Sequence, residues 1–276
     1  MYPILFKDTF FVTSSFEFMM MMAALIAGFV VYKMAPRNGL SQKVVLDLAI
    51  YGTLAALVGG RLFHVFVELP YDPELLKQGI KSYYYFDNPI RILQVWKGGW
   101  ASHGAFIGLA LSWFIYLKKH KLNILQYLDH MCLYGGPFVI IFVRLGCLLA
   151  GCCYGKPSPF DKFEYILYIH LHHANRWPTQ IYSMLYGVLI FLICLGVKNI
   201  QTFRGQVMVS FLFFYGLFRS SIEFLRADAD RGIYFNGAIS TGQIVGIIYL
   251  ILCVVFYFYF NKRFPISEND MKNSQA

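Results

Sequence analysis

Ionisable side chains stand in this chain where apolar sequence should exclude them: Arg61, His64, Arg144, Arg219, Glu223 and Arg226 inside hydrophobic runs, and His103 at the head of another. Charge placed in such runs is costly, so each of these residues marks a functional-site hypothesis. Arg219, Glu223 and Arg226 recur at spacings of four and three, which sets them on one face of a helix. Arg61 and His64 lie about one turn apart. Arginine offers a planar fork of donors that fits phosphate oxygens in pairs, and histidine is the side chain suited to proton transfer near neutral pH. The basic groups face one acid within the runs, Glu223, and an unbalanced basic pocket binds an anion. The competing reading makes Arg61, Arg219 and Glu223 buried ion pairs that fix helix register.

The elements that must hold these residues are membrane spans. Of 276 residues, 58% are hydrophobic and 14% charged, whereas a water-soluble domain carries about 25% charged residues. Twenty-seven Phe and 20 Tyr suit lipid contact and interfacial belts. A bilayer core needs about 20 apolar residues per helix, and the runs 16–34, 44–67, 102–117, 125–150, 179–197, 206–225 and 237–260 meet or approach that length. The expected fold is therefore all-α, a polytopic transmembrane helix bundle of about seven spans. It forms a single transmembrane domain over residues 1–265, with a polar, disordered tail at 266–276. The first run has no basic leader and no small-residue cleavage site, so it reads as a retained span.

Orientation follows from the connectors. Lys33, Arg37 and Lys43 follow the first run, Lys118, Lys119 and Lys121 the third, Lys198 and Arg204 the fifth, and Lys262 and Arg263 the seventh. The alternate loops are longer and mixed in sign, holding Asp72, Glu74, Asp87, Asp161, Glu164, Asp228 and Asp230. The bias puts the C-terminus in the cytoplasm and the N-terminus outside. It also accounts for the net charge of +9 without nucleic acid as a partner. With that topology Arg61, Arg144 and Arg219 sit roughly 10–15 Å below the outer ends of their helices, and His103 enters from the same side. The anion at hand in an outer leaflet is a phospholipid headgroup. The aromatic loop 69–99, with Tyr83, Tyr84, Tyr85, Phe86, Trp96 and nearby Trp100, is expected to lie at the outer interface and cover something there.

Several stretches carry a resemblance. Gly98-Gly99-Trp100-Ala101-Ser102-His103-Gly104-Ala105-Phe106-Ile107-Gly108 resembles the His-Gly segment of the bacterial prolipoprotein diacylglyceryl transferases. Arg144-Leu145-Gly146 with Gly151 and Gly155 is similar to that family's Arg-Leu-Gly-Asn signature and its later glycines, and Gly59-Gly60-Arg61-Leu62 also matches. Arg176-Trp177-Pro178-Thr179-Gln180-Ile181-Tyr182 resembles its Pro-Ser-Gln-Leu-Tyr segment. Tyr215-Gly216-Leu217-Phe218-Arg219 with Glu223-Phe224-Leu225-Arg226 resembles its Tyr-Gly-x-x-Arg and Glu-Phe-x-Arg stretch, and Thr241-Gly242-Gln243-Ile244 its Met-Gly-Gln-Ile. The matches keep the family's order from about residue 50 to 250.

The resemblance implies a multi-pass enzyme of the bacterial cell (inner) membrane. Such an enzyme moves the diacylglyceryl group of phosphatidylglycerol onto the lipobox cysteine of a prolipoprotein, and glycerol phosphate leaves. It implies catalytic roles for His103, Arg144 and Arg219, and phospholipid binding by Arg61, Arg144, Arg219, Tyr215, Glu223 and Gly155. No cofactor and no metal are expected. Cys147 stands where the family signature has Asn, Cys152 stands where it has Glu, and the first run lacks the family's Tyr-Gly pair. Two other readings compete. One is a lipid-binding paralogue without turnover. The other is a redox or metal protein built on Cys147, Cys152 and Cys153 with His170, His172 and His173, since thiolates and imidazoles suit zinc or copper.

Overall fold

The computed structural model describes residues 4–5, 13–68, 83–94, 99, 101–157, 168–169, 174–227, 233–234 and 239–266. The tail at 267–276, the loop histidines His170, His172 and His173, and Trp96 and Trp100 lie outside the described residues. Helices dominate: α1 (Ser15–Met34), α2 (Gln42–Phe63, continued by a π turn over His64–Glu68), α3 (Ser102–Lys119), α4 (Ile124–Tyr134), α5 (Gly136–Ala150), α6 (Thr179–Asn199), α7 (Gln206–Glu223) and α8 (Thr241–Arg263). Three antiparallel ladders of two residues a side accompany them, pairing Ile4–Leu5 with Thr13–Ser14, Tyr168–Ile169 with Ala174–Asn175, and Ile233–Tyr234 with Ile239–Ser240.

Local chemistry sets the helix ends. Ser14 and Glu17 form a capping box that opens α1, and Ser240 with Gln243 does the same for α8, each satisfying two donors that a helix start leaves over. Gln243 of the Thr-Gly-Gln-Ile motif thus has a structural task. The expected fourth span is two helical pieces that part at Gly135, after which Pro137 sits in the first turn of α5. Gly151 ends α5 with a left-handed φ of 76°.

Among the described residues, five stretches are long and apolar enough to cross a membrane: Ser15–Met34, Gln42–Val67, Ile124–Ala150, Thr179–Asn199 and Gly246–Arg263. The other two expected spans form the 18-residue helices α3 and α7. Each is about 27 Å long, but His103, Lys118 and Lys119 dilute the first, as Gln206, Arg219 and Glu223 dilute the second. Large apolar side chains such as Leu25, Phe29, Leu57, Leu192, Ile251 and Phe258 stand exposed along the helices, as lipid-facing residues do.

The chain forms two compact units, residues 40–124 and residues 1–39 with 125–276. In the first, α2 packs on α3 in antiparallel register, with Gly60 O accepting from Ala101 N at 3.1 Å. A Cβ at Gly59 would lie 2.4 Å from Gly104 O, and one at Gly104 2.3 Å from Gly59 O, so the backbones touch as small-residue seams allow in membranes. Trp113 Nε1 donates to Leu48 O and Tyr116 Oη to Asp47 Oδ2 along the same seam.

In the second unit, α5 packs against α1 and α6, and α7 against α6 and α8. Asp129 is buried here, its oxygens accepting from Gly205 N and Gln201 Nε2 at 2.7 Å and from Met208 N at 2.8 Å. The carboxylate caps the start of α7. Glu223 is therefore not the one acid in the spans: Asp129 lies in the fourth and Asp47 in the second.

Candidate functional site

The turn that follows α5 organises the site. Residues 151–157 leave the helix at Gly151 and are strapped on two sides. Toward the end of α7, Gly155 bridges Arg226, Lys156 N donates to Leu225 O at 2.7 Å, and Ala227 N donates to Tyr154 O at 3.2 Å. Toward α6, Pro157 bridges Arg176 and Trp177 N donates to Lys156 O at 3.0 Å. Thr179 Oγ1 donates to Cys153 O and Gln180 Nε2 to Cys152 O, both at 2.7 Å, from buried positions. Gly155 is needed for close approach, since a Cβ there would lie 2.4 Å from Trp177 O. The resembling motifs at 144–155, 176–182 and 215–226 thus meet in one place.

Arg144 is half-buried, with Tyr186, Cys147, Cys153 and Tyr215 within electrostatic reach of its guanidinium. Among the described residues no carboxylate pairs with it. Tyr186 also feels Arg219; its ring packs edge-on to Tyr215 at 6.4 Å and stacks on Phe218 at 5.9 Å. Arg219 pairs with Glu223, whose carboxylate lies 3.5 Å from Arg226 Nη1 and is almost fully buried. Among the described residues, Arg144, Arg219 and Arg226 cluster around the single acid Glu223, with the phenols of Tyr186 and Tyr215 beside Arg144.

Three thiols adjoin it. The Sγ atoms of Cys147, Cys152 and Cys153 lie within 4.8 Å of one another, and Cys153 holds a positive φ of 57°. Hydrogen bonds from Cys147 and Cys152, with Arg144 and Arg226 adding to them, pull the Cys153 thiol below its ordinary range. The same sharing, led by Cys147, pushes Cys152 up. The sequence alternative that groups these three cysteines finds them together across a helix end, while its three histidines lie outside the described residues.

The remaining expected site residues belong to the 40–124 unit. Arg61 is buried and its donors go to its own loop: Nε to Ile92 O at 3.0 Å, Nη1 to Gly99 O at 3.0 Å, and Nη2 to Arg91 O at 2.7 Å. The buried Tyr85 ring lies 5.0 Å from its guanidinium carbon, and Arg91 stacks on Tyr84 at 4.2 Å. The described part of the aromatic loop covers Arg61, and Arg61 clamps that loop. His64 meets Tyr85 edge-on. His103 is exposed at the start of α3, beside Phe63 at 6.1 Å.

Known proteins bear on this geometry. The family model described as prolipoprotein diacylglyceryl transferase matches residues 3–259. A phosphatidylglycerol–prolipoprotein diacylglyceryl transferase of Clostridium tetani is 30% identical over 271 residues, covering 93% of this chain and 97% of the relative. One of the same name from Acinetobacter baumannii is 31% identical over 267 residues, covering 93% and 91%. Another, from Acinetobacter baylyi, is 31% identical over 257 residues, covering 88% and 87%.

Proposed function

The chain belongs to the prolipoprotein diacylglyceryl transferase family, and we propose that it transfers the diacylglyceryl group of phosphatidylglycerol to the lipobox cysteine of prolipoproteins. A carbon–sulfur bond forms at the glyceryl carbon, the bond from that carbon to the phosphate oxygen breaks, and glycerol phosphate departs with the charge. The observation that carries the reading is Arg144, half-buried beside Arg219 and Arg226 and paired with no carboxylate among the described residues. Donors fixed in place before charge develops stabilise a departing phosphate without reorganisation.

We assign Arg144 to the phosphate, and Arg219, aimed by Glu223, to the oxygens that gain charge. Tyr215 lines the headgroup space, and Gly155 lets the 151–157 turn approach α6. Arg61 holds the loop that follows α2. His103 handles the acceptor thiol or its proton, since a thiolate is the nucleophile that displacement requires. The helices α1, α2, α3, α4 with α5, α6, α7 and α8 make seven passes in the cell (inner) membrane, with the C-terminus cytoplasmic. Residues 1–265 form the single membrane domain, and the tail from 266 is polar.

Membranes bearing the protein should convert phosphatidylglycerol and a lipobox peptide into a thioether-linked lipopeptide. Product that survives both Arg144→Ala and His103→Ala would refute the assignment. Co-purifying lipid without transfer would favour the binding paralogue.

A further inference from the structure

The three sulfurs beside the arginine cluster form an arrangement that diacylglyceryl transfer does not require. A metal ion held by three thiolates at about 2.3 Å needs the sulfurs roughly 3.8–4.0 Å apart. Those of Cys147, Cys152 and Cys153 lie within 4.8 Å of one another, so small side-chain rotations close the site. Its backbone is held in advance: Thr179 and Gln180 grip the carbonyls of Cys153 and Cys152, and Cys152 N donates to Cys147 O at 3.1 Å.

We infer that Cys147, Cys152 and Cys153 bind a single soft d10 metal ion, zinc or copper(I), with a fourth position left open. Among the described residues no carboxylate or imidazole joins the set, and thiolates alone select soft ions over magnesium or calcium. Cys147 is buried and Cys152 exposed, which supplies both a shielded floor and an entry path. Three thiolates around a divalent ion leave net negative charge, and Arg144 and Arg226 are there to face it.

The test uses the full-length protein in detergent, reduced with a phosphine, stripped of metal, and dialysed against cadmium alone. One equivalent per chain is expected, with sulfur-to-cadmium charge-transfer absorption that zinc bleaches by displacement. Cys152→Ser, at an exposed position that does not threaten folding, should lose it, and Cys253→Ser should keep it. Zinc at ten times its dissociation constant should slow maleimide labelling of Cys152 about tenfold, the fraction of free site at that occupancy. No bound cadmium in the reduced protein, or a full equivalent retained by Cys152→Ser, would overturn the site. So would a Cys147–Cys152 crosslinked peptide that persists in phosphine. No lipid or peptide substrate enters the measurement, so its failure is separate from any failure of the transferase reading.

Discussion

Arg61 and Arg144 both stand in apolar helices, and each unit of the chain surrounds its arginine differently. In the 40–124 unit the Arg61 fork is taken up by carbonyls 30 to 38 residues away and by the face of Tyr85. In the other unit Arg144 faces phenols and thiols, with its neighbours Arg219 and Arg226 sharing Glu223. Arg61 is thus a clamp on its loop, and the headgroup role proposed for Arg144 rests on its facing no such set of carbonyls among the described residues. The cost of burying the Arg61 charge is offset within the fold.

The sharpest break between them would come from Arg144→Ala. Transfer should fall about 10²–10³-fold, as when a preorganised donor to developing charge is removed, while the variant keeps its thermal stability. Arg61→Ala should do the reverse. Unpaired loop carbonyls should lower unfolding stability by about 3 kcal/mol, read by denaturation in detergent, with headgroup affinity per folded molecule retained. A stable Arg61→Ala protein that no longer binds phosphatidylglycerol would dissolve the distinction.

Glu223→Gln sharpens the ligand side. It keeps the shape but releases Arg219 and Arg226, so KM for phosphatidylglycerol should change by about tenfold, or 1.4 kcal/mol, more than kcat does. Smallest, Asp129→Asn leaves one acceptor for the backbone donors of α7. A loss of about 1 kcal/mol in stability is expected, with kinetics per folded molecule unaltered.

How much of this was legible follows from the range of each interaction. The pairing of Arg219 with Glu223 is local helix geometry, and spacing alone predicts it; Arg226 was expected on the same helix face but lies past the end of α7, in the bridge to Gly155, and reaches Glu223 from there. The resemblance put Arg144 and Gly155 in one site with Tyr215, Arg219 and Glu223, but gave the 176–182 stretch no place there; the bridge of Pro157 to Arg176 supplies it. The fate of Arg61 was not legible, because its acceptors are backbone carbonyls across a loop whose path no side-chain pattern encodes. Asp129 reads as the edge of an apolar run until Gly205 and Met208 are seen to need an acceptor. The shortfall of α3 and α7 against the five more apolar stretches lies in composition, since the His, Lys, Gln, Arg and Glu residues they carry lower apolarity.

The backbone contact between Gly59 and Gly104 bears on biogenesis. Two helices that touch without side chains between them pair in a single register, because sliding by a residue would drive a β-carbon into a carbonyl. A change at either glycine should therefore appear as scarcity: little protein survives cellular quality control, while each surviving copy turns over at the ordinary pace.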